Sequence, residues 1–259
     1  MKITQNRRSW AWPYVLFMVL LVVLPLLLIG YYAFTDPQGG FTLRNFLQFF
    51  HKQEAVNTFI YSLAIALITT IICLLLGYPA AYIMAMRSFR TPAVMARLFI
   101  LPMWINFLLR TIATVELFHM FGLPLGEGAL LFGMVYDFLP FMIYPIYNTL
   151  QKMDLSLIEA AKDLGARPKE VFTKVILPLS VPGIYSGIVM VFMPTVSTFA
   201  ISELLTHNKI TLFGSLIQRS FGEGGIAMWN YGAALSLIML IIIGMTSFFG
   251  NNDTEDINR

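Results

Sequence analysis

Residues 55–86 read AVNTFIYSLAIALITTIICLLLGYPAAYIMAM, 32 consecutive positions without Asp, Glu, Lys or Arg. A hydrocarbon core of about 30 Å is crossed by about 20 apolar residues in a helix, so this run predicts a membrane-spanning helix. Three further stretches are free of charge in the same way: Ser9–Thr35, Val175–Ser202 and Gly224–Asn252. Two more are interrupted, Leu98–Phe121 by Arg110 and Glu116, and Gly128–Gln151 by Asp137. The expected architecture is therefore all-α and polytopic, a single transmembrane domain over 1–259. Its six spans are expected near Pro13–Tyr32, Thr58–Met84, Leu98–His119, Ala129–Leu150, Gly183–Leu205 and Ala227–Phe249.

Composition agrees. Of 259 residues 58% are hydrophobic and 12% charged, with a mean hydropathy of +0.73. A soluble domain carries about 25% charged residues, so a soluble enzyme, a disordered chain and a nucleic-acid module are excluded. The single cysteine, Cys73, lies inside an apolar run, which leaves no disulfide framework and no cysteine metal site. His51, His119 and His207 are scattered and suggest no metal ligation. The basic start at Lys2, Arg7 and Arg8 precedes an apolar stretch too long for a signal-peptide core, so the first span is expected to be an uncleaved helix.

Lysine and arginine placement sets the expected orientation. The N-terminus, the second loop (Arg87, Arg90, Arg97), the fourth loop (Lys152, Lys162, Arg167, Lys169, Lys174) and Arg259 hold twelve basic residues. The alternate loops hold Arg44, Lys52, Lys209 and Arg219. Both termini and the fourth loop, 151–182, are expected in the cytoplasm.

That loop is the most charged connection. Ser156 with Glu159 three residues on predicts a capping box, and Gly165 suits the left-handed position that ends a helix. Pro168 suits the first turn of a second short helix. Ala160 and Ala161 form a flat strip that permits close backbone approach. The charges of Glu159, Lys162, Asp163, Arg167, Lys169 and Glu170 are of mixed sign, whereas surfaces that bind anionic lipid are dominantly basic. A protein partner is expected here.

Glu159-Ala160-Ala161, Gly165 four residues after Ala161, and Leu177-Pro178 resemble the EAA loop of ABC-importer permeases. Trp104-Ile-Asn106 with Arg110, the run Val135-Tyr-Asp-Phe-Leu-Pro-Phe-Met-Ile-Tyr-Pro145, Phe199 through Glu203 with Lys209, and Gly232–Ser236 resemble the spermidine/putrescine branch of that family (PotB type). The connection from Phe121 to Ala129 is shorter than in that branch. The resemblance implies the type I, MetI-like permease fold in a prokaryotic inner membrane. It implies alternating access in half of a polyamine pathway, the other half being a second permease subunit. A dimer of ATPase subunits would contact Glu159, Ala160, Ala161, Gly165, Leu177 and Pro178, and an extracytoplasmic binding protein would deliver substrate. ATP and magnesium would reside on the ATPase. The chain itself has no GxxxxGK[ST] phosphate loop, so no cofactor of its own is expected. The alternatives are a permease for another small solute, an ion channel, and an intramembrane enzyme for which no catalytic constellation appears.

Ionisable residues within spans are costly and mark pairs or pathways. Counting ~1.5 Å per residue from opposite faces brings Arg110 and Asp137 to one depth, which predicts a structural pair over a free Asp137 cation ligand. Glu203 beside Phe199 suits an alkylammonium through charge and cation–π attraction, and Glu116 is a second candidate. Tyr136 and Trp229 are candidate pathway walls.

Overall fold

The computed structural model describes residues 12–86, 99, 101–222 and 226–256. Lys2, Arg7, Arg8, Arg87, Arg90, Arg97 and Arg259, used above for orientation, lie outside these residues. The described chain is helical apart from turns and an isolated bridge between Thr35 and Phe41. Its helices are α1 (Trp12–Ala33), α2 (Arg44–His51), α3 (Gln53–Met86), α4 (Phe107–Met120) and α5 (Glu127–Gln151). They continue with α6 (Leu155–Asp163), α7 (Pro168–Ser197), α8 (Ala200–Thr206), α9 (Phe213–Gly222) and α10 (Ile226–Asp256).

Among the described residues five helices, α1, α3, α5, α7 and α10, are long and apolar enough to cross a membrane. The expected third span is not one of them. Leu101–Trp104 forms a 3₁₀ turn and a helix restarts only at Phe107, with the Asn106 side chain accepting from the Leu108 amide at 2.8 Å. Pro102 and a strong N-cap residue break the expected span Leu98–His119, which is therefore not one continuous helix. The 14-residue α4 is about 21 Å long.

The fifth span also differs from expectation. It begins at Pro168 rather than Gly183 and ends at Ser197, where Thr198 is extended (φ −68°, ψ 146°). Residues 200–206 form the separate helix α8, so Glu203 does not lie on the fifth span. Ser197 Oγ turns back on the carbonyls of Met193 and Pro194 (both 3.2 Å), a hydroxyl competing for helix acceptors.

Two of the prolines inside helices have a visible accommodation. Leu24-Pro25 and Leu177-Pro178 each follow a π-turn, Val19–Val23 and Phe172–Ile176. The leucine amide reaches back five residues, to the Val19 and Phe172 carbonyls respectively. Proline removes one donor and crowds the carbonyl four residues back, and the widened turn relieves that crowding.

The chain divides into two units, Met1–Val56 with Leu216–Ile242, and Asn57–Ser215 with Ile243–Arg259. In the first, Ala33 packs on Ala233 and Ala234. Thr35 closes the end of α1, its carbonyl accepting from Asn45 Nδ2 (2.9 Å) and Asn230 Nδ2 (2.6 Å). In the second, α5 is the central helix and α7 lies along it. Ser180, Gly183, Gly187 and Val191 form the buried stripe of α7. A Cβ at Gly187 would stand 2.6 Å from Met142 Sδ and 3.2 Å from the Met142 carbonyl oxygen. Glycine at this spacing permits the close approach of two membrane helices.

Candidate functional site

Helix α6 and the first turn of α7 form a hairpin. Asp154, not Ser156, caps α6: its side chain accepts from the Ser156 amide at 2.9 Å. The expected capping box is two residues out of register: Asp154 takes the N-cap position, and its carboxylate accepts from the Ser156 amide. That hydrogen bond holds the Asp154 carboxyl below the ordinary carboxylate range. Gly165 has φ +79° and completes a Schellman turn, with Ala166 N–H bonded to the Ala161 carbonyl (3.1 Å) and Gly165 N–H to that of Lys162 (2.9 Å). Pro168 opens α7, and Glu170 accepts from the Arg167 amide at 2.9 Å. The second helix is not short, since it runs on through the π-turn into the membrane-spanning part of α7.

The inner side of the hairpin is joined to the spans. Ile158, Val171 and Ile176 share one apolar cluster with Ala81 and Met84 of α3 and Ile146, Tyr147 and Leu150 of α5. The Phe172 ring makes edge contacts with Tyr78 and Tyr82, at centroid separations of 6.0 and 5.5 Å. The opposite side is open: Leu157, Glu159, Ala160 and Leu164 are exposed, Leu164 at 89%. Ala161 does not share that side with Ala160, because it packs against the cluster. Leu177 and Pro178 stand where regular helix resumes after the π-turn.

Within the second unit the structure brings Arg110 and Asp137 together. Arg110 Nε lies 3.2 Å from Asp137 Oδ1, and the two side chains are 6% and 1% exposed. Arg110 Nη2 also lies 3.4 Å from the Asp137 carbonyl, and Thr111 Oγ1 is 3.1 Å from Asp137 Oδ2. The guanidinium stands 5.8 Å from the centre of the Tyr136 ring. Desolvating both charges is costly, and close pairing with further polar contacts offsets it. Thr111 is a partner that depth counting did not identify; its place one residue after Arg110 on the same helix is the signal.

Beside this pair lies a cavity of about 600 Å³, bordered by the two helix breaks. Trp104 and Asn106 come from the break before α4 and Phe107 from its first position, Phe138 and Phe141 from α5, Ser197 from the last position of α7, and Thr198 and Phe199 from the break that follows it. Arg110 is the charged residue of its lining. Phe199 thus faces the cavity, while Glu203, one turn along α8, is half-buried outside the lining. Glu116 is exposed on α4, on the side opposite the inward-facing Arg110, Thr114 and Phe118. Trp229 is exposed in the other unit. Within the second unit the candidate residues therefore do not converge on one point: Arg110, Asp137 and Tyr136 form one group, Phe199 borders the cavity, and Glu116 faces away from both.

A family model described as "binding-protein-dependent transport system inner membrane component" matches residues 77–252. The spermidine/putrescine transport system permease protein PotB of Escherichia coli (strain K12) is 34% identical over 251 residues, covering 88% of this chain and 90% of that protein. The spermidine/putrescine transport system permease protein PotC of the same organism is 30% identical over 209 residues, covering 80% of this chain and 79% of that protein. A crystal structure of a bacterial ABC transporter that imports the polysaccharide alginate superposes with a TM-score of 0.76 at 15% identity, over 98% of both chains. That likeness supports the fold alone. Helical spans, a hairpin closed by a glycine turn and the match over 77–252 agree: the chain belongs to the binding-protein-dependent transport system inner membrane component family, the permeases of ABC importers.

Proposed function

We propose that the chain is one of two similar permease subunits that together form a pathway for spermidine and putrescine, and that the α6 hairpin receives an ATPase subunit. The observation that carries the coupling role is the two-sided hairpin. Its inner side shares a packed cluster with α3, α5 and α7, while its outer side presents Leu157, Ala160, Leu164 and Glu159 to solvent. Packed interiors have low compressibility and transmit displacement, so movement of a protein docked on that side passes to the spans. Alternating access is then rocking of those helices. ATP and magnesium are held by the ATPase, and a binding protein supplies substrate on the opposite face. The termini and the hairpin lie in the cytoplasm.

The polyamine reading is supported by the printed function of the relatives and by side-chain chemistry. A polyamine is a flexible apolar chain with separated ammonium groups. Aromatic faces such as Trp104, Phe141 and Phe199 attract both parts weakly, and weak, spaced contacts permit release. Glu203 near Phe199 supplies a carboxylate for one ammonium group. The test is uptake of labelled spermidine by vesicles holding the complete complex with ATP at the hairpin side. Uptake that requires ATP and is displaced by unlabelled putrescine supports the reading. ATP-dependent uptake displaced instead by an amino acid or a sugar overturns the substrate, and uptake indifferent to ATP overturns the coupling.

A further inference from the structure

The segment that follows α1 carries an exposed apolar surface outside the hairpin and the cavity described above. Within α2 the chain buries Phe49 and Asn45 and packs Phe46 against the cluster around Ala33. On the other side, Leu43, Leu47 and Phe50 fall at i, i+4 and i+7 and are 52%, 55% and 68% exposed. Such spacing places them on one helical face. Phe41, 79% exposed, stacks on Phe34 with ring planes 4° apart, and Phe34 in turn touches Phe46. Tyr31, at the end of α1, is 57% exposed. The apolar face of α2 is therefore continuous with the end of a membrane-crossing helix none of whose 18-residue apolar window is buried in the chain.

Charge selects the occupant. The charges nearest the stripe are basic: from Phe41 to Gln53 the sequence carries Arg44, His51 and Lys52, and the carboxylates Asp36 and Glu54 lie beyond its two ends. Arg44 and His51 are exposed at the two ends of α2, and Lys52 stands 4.7 Å over the Tyr231 ring. Basic residues flanking an apolar stripe at the end of a span match a layer of anionic headgroups over acyl chains, where aromatic side chains also concentrate. The Asn45 and Asn230 hydrogen bonds to Thr35 hold the start of α2 against the end of α1, which fixes the depth of the stripe.

We propose that α2 is an interfacial helix, seated with Leu43, Leu47 and Phe50 in the boundary between headgroups and acyl chains, and that Arg44 contacts anionic lipid. The proposal rests on the membrane fold and not on the polyamine reading. Its test uses the full chain in vesicles of phosphatidylcholine with or without phosphatidylglycerol. Cys73 is fully buried, so a Leu47→Cys variant accepts an environment-sensitive fluorophore at 47 alone. Blue-shifted emission, quenched by lipids spin-labelled high on the acyl chain, is the expected result. Phe50→Ser should move the ratio of seated to unseated label by about tenfold or more, the transfer cost of one large apolar side chain. Arg44→Gln should weaken the preference for phosphatidylglycerol by about fivefold. Water-like emission indifferent to the quencher overturns the proposal. So does a blue shift that appears only when a soluble binding protein is added, which would make the stripe a protein-docking surface. Because no transport is measured, failure here leaves the permease reading intact, and failure of polyamine uptake leaves this one intact.

Discussion

Arg110 and Asp137 show how far a single pair of residues decides local structure. Removing one partner of a buried pair leaves an uncompensated charge and typically costs ~3–5 kcal/mol, whereas removing both leaves no orphan. Arg110→Met and Asp137→Leu should each lower thermal stability of the inserted chain more than the double variant does, and additive losses would show that the pair contributes nothing. Glu203 is a test of chemistry rather than of stability. The nearly isosteric Glu203→Gln should slow spermidine uptake at saturating binding protein while leaving complex assembly unchanged; equal uptake by the variant removes this carboxylate from the pathway. The pair was legible in the sequence because two charges at one depth in a bilayer have few alternatives. The cavity was not, since Phe138 and Phe141 differ in no sequence feature from aromatic residues that pack elsewhere.

At the scale of elements, the hairpin depends on its cap and its turn. The Asp154 carboxyl is held below its ordinary range in the folded state, so its contribution is fully present above the unfolded value of about 3.9 and is lost as pH falls through the depressed value. Protection of the Ser156 amide from hydrogen exchange should decline on acidification in the wild type. Asp154→Asn, which keeps an acceptor without a titration, should show no such decline, and identical profiles would exclude the cap as the cause. The α5–α7 contact makes a different demand. Gly187→Leu forces a side chain against Met142, and overpacking costs typically ~1–3 kcal/mol, so lowered thermal stability is expected and an unchanged melting temperature would show that the helices are not in close contact. Charge-free length located most spans but passed over the breaks at Asn106 and Thr198. Helix continuity there is decided by capping and by hydroxyl competition rather than by hydropathy. The Asn106 cap and the Gly183–Gly187 spacing were both readable local signals.

Over the whole molecule, one element lies between two tasks. The hairpin is anchored on its inner side to the spans through Ile158, Val171 and Phe172 and open on its outer side. Composition and charge-free runs established the membrane class from the sequence, and Gly165, Pro168 and the EAA pattern located the hairpin. Which side of the hairpin faced the spans was not legible, because Ala160 and Ala161 are equal in chemistry and only packing separates them. The most direct test of the account is ATP-driven spermidine uptake by the complete complex carrying Leu164→Asp. Leu164 is 89% exposed, so the change leaves the fold of this chain intact. If the exposed side of the hairpin is the ATPase-docking surface, burying a carboxylate in place of an apolar side chain forfeits about 1.5–3 kcal/mol of apolar contact, and uptake should fall by about tenfold or more while the chain inserts normally. Uptake at the wild-type rate would contradict the docking of an ATPase on this hairpin.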